Sequence, residues 1–178
     1  LLHGDKDRAK WMVDNIVTNS WNDQTDLGKP IKECIFELKQ AYPKYAPYIV
    51  AYWYCYKDMD AGEIPGIYDV MKDLKDRGYQ LYCLTNWSHE TFPIVKEVHA
   101  RLFELFDGIV VSGEEKMVKP NPEIYNLLLG RYNLNASESV FIDDRQRNVD
   151  GANQVGIQGI LFTGSNNLKE QLAQLLIL

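Results

Sequence analysis

The sequence has few cysteines, no block of basic residues and no long apolar run. Its three cysteines, Cys34, Cys55 and Cys83, lack the paired spacing of zinc or redox motifs, and their apolar surroundings predict buried free thiols. The net charge of −6 has no basic cluster, which argues against a surface for nucleic acid or an anionic membrane. No apolar run approaches the roughly 20 residues that cross a bilayer, and no charged-then-apolar leader opens the chain. We therefore expect a cytoplasmic protein.

The pattern of apolar residues divides the chain into two parts. Residues 1–62 carry helical spacing alone, with helices predicted over residues 5–18, 30–40 and 45–59. Residues 63–178 alternate between the two kinds of element. Strands are predicted over residues 81–84, 108–111, 140–142 and 159–162, and helices over residues 67–76, 94–103, 122–129, 148–155 and 168–176. This alternation predicts an α/β fold with a parallel sheet covered on both faces.

Polar residues follow two of the predicted strands. The carboxyl ends of parallel strands form the binding crevice of such a sheet, so these residues are the first functional candidates. Thr85-Asn86 could hold an anion with backbone N–H groups, or could merely cap a helix. The adjacent carboxylates Asp143-Asp144 repel each other unless a cation is near, and hard oxygen ligands suit Mg²⁺, although a helix cap plus a solvated acid would also explain them. Lys119, before Pro120, has a restricted backbone, but a lone lysine is usually solvated.

Taken in order, Thr85-Asn86, Lys119-Pro120 and Asp143-Asp144 resemble the second, third and fourth motifs of the haloacid dehalogenase (HAD) superfamily. The resemblance covers about residues 65–162, and residues 1–62 then correspond to a helical cap. It is closest to the subgroup that includes haloacid dehalogenases, sugar-phosphate phosphatases and the phosphatase domain of epoxide hydrolases. The fold that it implies is a Rossmann-like parallel sheet domain, residues 63–178, carrying an N-terminal all-helical cap domain.

The resemblance also implies a reaction and a set of roles. An aspartate attacks the phosphorus of a small phosphorylated substrate, and water then releases phosphate from the aspartyl-phosphate. Thr85 and Asn86 would bind phosphoryl oxygens, and Lys119 would offset charge on nucleophile and phosphate. Asp144 would ligate Mg²⁺, with Asp143 supporting it through water or a hydrogen bond. Thr85 and Lys119 are thus the implied catalytic residues.

The first motif of the superfamily, an apolar strand ending in Asp-x-Asp with the nucleophile, has no match. Asp5-Lys6-Asp7 matches the Asp-x-Asp pattern, but only Leu1-Leu2-His3-Gly4 precedes it, which is too short for a buried strand. A charged first helical turn explains these residues more simply. That strand lies centrally in the superfamily's sheet, between the strands ending at Thr85 and Asp143. We expect roughly twenty or more residues upstream of Leu1 in the parent protein, and no catalysis by residues 1–178 alone.

Two other functions remain open. A 2-haloacid dehalogenase has the same fold and needs no metal, but its subgroup has Ser and Asn where this chain has Asp143-Asp144. A non-catalytic binding protein could retain the fold after losing the nucleophile. The aromatic run Tyr52-Trp53-Tyr54 is more often a packed core than a sugar platform, and Trp87 and Tyr125 could line the cleft. The substrate is not predicted by these residues.

Overall fold

A computed structural model describes residues 6–54, 57, 60–175 and 177, so Asp5 and Cys55 lie outside the described residues. In the described part of the first third of the chain, every regular element is a helix. These are α1 (Lys6–Asn15), α2 (Asn19–Asp26), α3 (Ile31–Ala41), a 3₁₀ turn (Pro43–Tyr45) and α4 (Ala46–Tyr54). They share a core of their own, formed by Met12, Ile16, Val17, Leu38 and Ile49. This separate core is consistent with the predicted helical domain, whose boundary at residue 62 stays a prediction.

Helices and strands alternate after residue 66, as the apolar pattern predicts. In order they are α5 (Ile67–Asp76), β1 (Tyr82–Thr85), α6 (Phe92–Val98), α7 (Ala100–Phe103), β2 (Gly108–Val111), α8 (Ser112–Glu115), α9 (Pro122–Tyr132), a 3₁₀ turn (Ala136–Glu138), β3 (Val140–Asp143), α10 (Gln146–Gln154), β4 (Gln158–Leu161) and α11 (Ser165–Gln174). One apolar cluster contains Leu84 of β1 and Val110 of β2, and another contains Ile160 of β4. The α/β fold class is confirmed.

The strands form two separate parallel pairs rather than one continuous sheet. β1 pairs with β2, with Thr85 opposite Val111, and β3 pairs with β4, with Asp143 opposite Leu161. Within the described residues no strand joins β1 to β3. This is the position at which the superfamily pattern requires a central strand.

Two of the predicted helices were wrong in extent. The helix expected over residues 5–18 ends at Asn15, and a separate helix, α2, begins at Asn19. The sequence of α2, NSWNDQTD, is rich in residues of weak helix propensity and has one apolar side chain. It therefore has no apolar stripe from which a helix could be predicted. The helix expected over residues 94–103 begins at Phe92 and breaks at His99, whose φ of −107° and ψ of 34° are not helical.

The helical segment, residues 6–54, rests on the α/β part through several contacts. The backbone N–H of Ile31 donates to Glu90 Oε1 at 2.7 Å. A Cβ on Gly28 would lie 2.8 Å from the carbonyl oxygen of Gly113, so the turn after α2 packs closely on α8. In the connection between the two parts, Asp60 Oδ2 lies 2.6 Å from Nε2 of His99. These contacts bring α2 over the carboxyl ends of β1 and β3.

Candidate active site

A cleft of about 390 Å³ lies at the carboxyl ends of β1 and β3, between the α/β part and the helical segment. All five of the residues proposed from the sequence line it: Thr85, Asn86, Lys119, Asp143 and Asp144. The structure therefore brings together in one place residues up to 59 positions apart in the chain. Their individual roles stay predictions.

Lys119 is buried at the floor of this cleft, with 8% of its surface exposed. Its Nζ donates to the Leu84 carbonyl oxygen at 2.8 Å and to Asp143 Oδ2 at 2.7 Å. The ammonium also lies 5.3 Å from the centre of the Phe141 ring. Because an ammonium has three N–H donors and two are used, one remains for a further acceptor. Lys119 thus joins the end of β1 to the end of β3.

Asp143 accepts hydrogen bonds at both of its carboxylate oxygens. Oδ2 is bonded to Lys119, and Oδ1 accepts from the Arg145 backbone N–H and from Asn148 Nδ2, each at 2.9 Å. Burial alone would raise the pKa of Asp143, but the charge of Lys119 and these hydrogen bonds together hold that pKa below its ordinary value. The group is therefore an anion that neutralises Lys119, with little capacity left for another ligand.

Asn86 fixes the loop that carries Lys119. Its Nδ2 donates to the Lys119 carbonyl oxygen at 3.0 Å, and its Oδ1 accepts from the Lys119 backbone N–H at 2.8 Å. The Lys119–Pro120 peptide bond that follows is cis. Since both ends of the amide are used in this way, the side chain of Asn86 positions Lys119. A contact between Asn86 and an anion would come from its backbone N–H.

Asp144 and Thr85 face the cleft in a different way. Asp144 is exposed, and its carboxylate makes no ion pair with any residue that the structure describes. Thr85, half-buried, ends β1 beside Lys119. The described residues contain no group of three or more His, Cys, Asp and Glu side chains that could hold a metal. Among the described residues at the strand ends, a hard cation would find one carboxylate without an ion pair, Asp144, and its remaining ligands would have to come from water, substrate or other chain segments.

Close packing behind the site sets the position of its loops. In α10, a Cβ on Gly151 would lie 2.5 Å from the Pro120 carbonyl oxygen, so only glycine lets this helix approach the Lys119 loop. Tyr125 is fully buried, and its hydroxyl donates to the Asn148 carbonyl oxygen at 2.7 Å. Burial raises the pKa of Tyr125, which keeps the phenol neutral. Tyr125 thus supports α10 and is not part of the cleft wall, whereas Trp87 is.

The opposite wall of the cleft comes from the helical segment, and of its residues only the aromatic pair Tyr52-Trp53 was a candidate from the sequence. The helical segment contributes six lining residues: Asn22, Asp23, Thr25, Asp26, Tyr52 and Trp53. Burial and the neighbouring Asp23 raise the pKa of Asp26 to about 6, although Arg145 opposes the shift. No sequence signal identified the four residues of α2, because this helix has no apolar stripe. Tyr52 and Trp53 pack in the helical segment, as the aromatic run predicts, but they also reach the cleft.

A family profile described as haloacid dehalogenase-like hydrolase matches residues 8–156, which is most of the chain. The chain belongs to the haloacid dehalogenase-like hydrolases. Within it, Thr85 ends β1, Asp143 ends β3 with Asp144 directly after it, and Lys119 lies in the loop after α8. No helix of the described part is both long and apolar enough to cross a membrane.

Several curated relatives are named as phosphatases, and the fold is shared with solved HAD structures. A sesquiterpene phosphatase of Aspergillus oryzae is 36% identical over 106 residues, covering 60% of this chain and 54% of that protein. A ribulose-1,5-bisphosphate 5-phosphatase of Halopiger xanaduensis is 29% identical over 116 residues, covering 65% and 48% respectively. The chain spans about half the length of these curated relatives. A HAD family enzyme of Bacteroides thetaiotaomicron, solved as a magnesium complex, superposes with a TM-score of 0.74 at 21% identity, covering 92% of this chain and 86% of that one.

Proposed function

We propose that the whole protein is a Mg²⁺-dependent phosphatase that hydrolyses a small phosphomonoester through an aspartyl-phosphate, with residues 1–62 as its cap and 63–178 as its catalytic domain. The observation that carries this proposal is the buried Lys119–Asp143 pair, 2.7 Å apart at the cleft floor, between Thr85 and Asp144. A fixed ammonium in a half-enclosed site is suited to a phosphoryl group that must be bound and stabilised during transfer. The names of the two relatives support the same reaction class.

In this proposal the phosphoryl group lies against Thr85 and Lys119. The Thr85 hydroxyl and the Asn86 backbone N–H donate to phosphoryl oxygens, and the third N–H of Lys119 donates to the nucleophile or to phosphate. Asp143 orients Lys119 through the hydrogen bond that it accepts from Nζ, and the Arg145 backbone N–H holds Asp143 in turn. The Asn86 side chain holds the Lys119 backbone in place. Lys119 therefore provides the charge, and its neighbours provide the geometry.

Asp144 is the residue of this chain that would hold Mg²⁺. When bound, the cation would offset charge on the transferring phosphoryl group. Asp143 is not a metal ligand in this proposal, because both of its oxygens already accept hydrogen bonds. It acts instead by holding Lys119 and the backbone next to Asp144.

The nucleophile would be an aspartate on a strand between β1 and β3, in a segment outside residues 1–178. The separation of the strands into two parallel pairs supports this part of the proposal, because a strand between them would complete a single sheet. The carboxylate attacks phosphorus as the bond to the ester oxygen breaks, and the leaving oxygen takes a proton from a general acid, which the second aspartate of the same Asp-x-Asp motif would provide. Water then gives a proton back to that aspartate as it attacks phosphorus, the bond between the aspartyl oxygen and phosphorus breaks, and inorganic phosphate is released. Residues 1–178 alone would lack this step.

The test is hydrolysis of p-nitrophenyl phosphate by the whole protein, with Mg²⁺ and with EDTA. We expect turnover only with Mg²⁺ and a drop of at least ~100-fold in Asp144→Asn, equivalent to about 3 kcal/mol of transition-state stabilisation. Asp150→Asn is the matched control, because Asp150 is an exposed carboxylate on α10 that does not line the cleft. Equal rates in EDTA, or equal losses in the two variants, would contradict the proposal.

A metal-free dehalogenase is the second candidate in the same fold. It would release chloride from 2-chloropropionate in EDTA, and p-nitrophenyl phosphate would not be hydrolysed. The carboxylate pair Asp143-Asp144 favours the phosphatase. A non-catalytic binding protein would show neither activity, and a buried lysine and aspartate held by so many hydrogen bonds argue against it.

We also propose that the protein acts in the cytoplasm on a small phosphorylated molecule. Cys34 and Cys83 are free thiols, which suits a reducing compartment, and burial raises the pKa of Cys83 to about 11. The cleft volume of about 390 Å³ fits a small-molecule substrate. Fractionation of cells that express the tagged whole protein would test the location.

A further inference from the structure

We infer that the wall of the cleft formed by the helical segment is a subsite for an uncharged leaving group that carries hydroxyls, and that it rejects a leaving group with a second anionic charge. This inference rests on the proposed phosphatase function and specifies its substrate class. The phosphoryl group is held at the strand ends by Thr85 and Lys119. The rest of the substrate must then lie against α2 and α4, which form the opposite wall.

The charges on this wall are of one sign. Asp23 and Asp26 of α2 both line the cleft, and no cation of the helical segment is among the described residues that line it. Arg145 and Arg147 belong to the α/β wall. The charge of Arg145 lowers the pKa of Asp26, but the two side chains form no ion pair. A carboxylate or second phosphate next to α2 would therefore meet two carboxylates, and repulsion in a half-buried site is poorly screened.

Two polar atoms on the same wall have no hydrogen-bond partner. Trp53, with 7% of its surface exposed, has a buried indole N–H without a partner among the described residues, and the same holds for Oδ1 of Asn22. Asn22 is oriented by donating from Nδ2 to the Tyr52 hydroxyl at 3.3 Å, and Trp53 packs edge-on against the Tyr52 ring. The Trp53 N–H can donate to a hydroxyl oxygen, and Asn22 Oδ1 can accept from a hydroxyl, so each atom suits a hydroxyl-bearing group.

The wall is also unsuited to a long hydrocarbon. Among the described residues that line the cleft there is no Leu, Ile, Val, Met or Phe, and the apolar surface comes from the rings of Tyr52, Trp53 and Trp87. A prenyl chain buried here would contact carboxylates and amides instead of aliphatic side chains. The subsite therefore differs in character from what the name of the sesquiterpene phosphatase relative would suggest.

Calorimetric titration of the whole protein in EDTA, where the proposed reaction cannot proceed, tests the subsite. Glycerol 3-phosphate and 3-phosphoglycerate differ only in a hydroxymethyl group replaced by a carboxylate, and propyl phosphate lacks both hydroxyls. We expect glycerol 3-phosphate to bind at least ~5-fold more tightly than either, since about 1 kcal/mol corresponds to that ratio. Asp26→Asn should tighten binding of 3-phosphoglycerate by ~5-fold and change that of glycerol 3-phosphate by less than about twofold.

Controls separate the subsite from the reaction. Glu33→Gln removes an exposed carboxylate of α3 that does not line the cleft, and the ligand ratios should not change. Equal or tighter binding of 3-phosphoglycerate by the unaltered protein, an unchanged ratio in Asp26→Asn, or no binding of any ligand would overturn the inference. Hydrolysis of p-nitrophenyl phosphate by the same preparation reports the proposed function separately. Turnover without charge discrimination would reject the subsite alone, and discrimination without turnover would reject the phosphatase alone.

Discussion

Lys119 and Asp143 form a buried ion pair in which each charge offsets the cost of burying the other. Their side chains are 9% and 7% exposed, so either charge left alone would be far from water. The desolvation cost of such a pair is offset only when its hydrogen bonds are complete, and here Leu84, Arg145 and Asn148 complete them. Such a pair adds little net stability, which agrees with the role of fixed cation proposed for Lys119.

Replacing Lys119 tests this interdependence. We expect Lys119→Met to lower the free energy of unfolding at pH 7 by about 3 kcal/mol, because Asp143 is left charged and buried. The lowered pKa of Asp143 contributes stability above its unfolded pKa and loses it as the pH falls, so the difference from the unaltered protein should narrow in acid. Urea denaturation at pH 7 measures the loss, and urea denaturation below about pH 4, where Asp143 takes up a proton in the unfolded chain, measures the narrowing. Lys169→Met, at an exposed position of α11, should change little, and equal losses would contradict the prediction.

Asp26 predicts a pH dependence of the opposite sign. Its pKa of about 6 in the folded protein exceeds its unfolded value, so the charged group costs stability at neutral pH, and this cost disappears as the pH falls from 6 to 4. We expect Asp26→Asn to stabilise the protein by about 1–2 kcal/mol at pH 7.5, after allowance for partial solvent exposure, with a smaller gain at pH 5. Thermal unfolding of the variant and the unaltered protein at pH 7.5 and pH 5 measures this gain. A gain that does not depend on pH would indicate that another cause is responsible.

At the scale of the elements, the site depends on how closely α10 approaches the loop after α8. Gly151 allows that approach, since a Cβ there would also lie 3.1 Å from the Tyr125 hydroxyl. The strand ends supply the chemical groups, but α10 and α9 determine where the Lys119 loop lies. A substitution that moves α10 away from the Lys119 loop should therefore lower both stability and activity.

Two helical glycines provide a matched test. Gly151→Ala should cost about 1–3 kcal/mol in unfolding free energy and lower turnover, because the Pro120 carbonyl must move. Gly130→Ala in α9, where nothing lies within 4 Å of the added Cβ, should stabilise by about 0.5–1 kcal/mol. Urea denaturation compares them, with p-nitrophenyl phosphate hydrolysis as the second measurement. If both variants are stabilised, the close approach of Gly151 to the Pro120 carbonyl oxygen does not limit stability.

At the scale of the whole molecule, side-chain contacts join the two parallel strand pairs at the site. No backbone hydrogen bonds between described strands connect β1 to β3. Lys119 contacts a backbone carbonyl of β1 and a carboxylate of β3, and no described strand lies between them. The helical segment closes the cleft from above through α2 and α4. The site therefore depends on three parts of the molecule at once.

Hydrogen–deuterium exchange would test whether a further strand completes the sheet. Amides of β1 and β3 that do not bond to β2 or β4 should exchange at least ~10-fold more slowly in the whole protein than in residues 1–178 alone. Amides within α9 are bonded inside their helix and should differ least. Equal rates for β1 and β3 in the two proteins would contradict a strand between them.

The sequence by itself determined the α/β class, the strands and the residues at their carboxyl ends. Apolar runs such as residues 81–84 are local signals, and parallel strands place whatever follows them at one edge. Only the tertiary structure decided that Asn86 bonds to Lys119, that Asp143 is engaged and Asp144 is free, and that α2 faces the cleft. The reason is physical: hydrogen bonds between residues 33 positions apart and the docking of a polar helix leave no periodic pattern in the sequence.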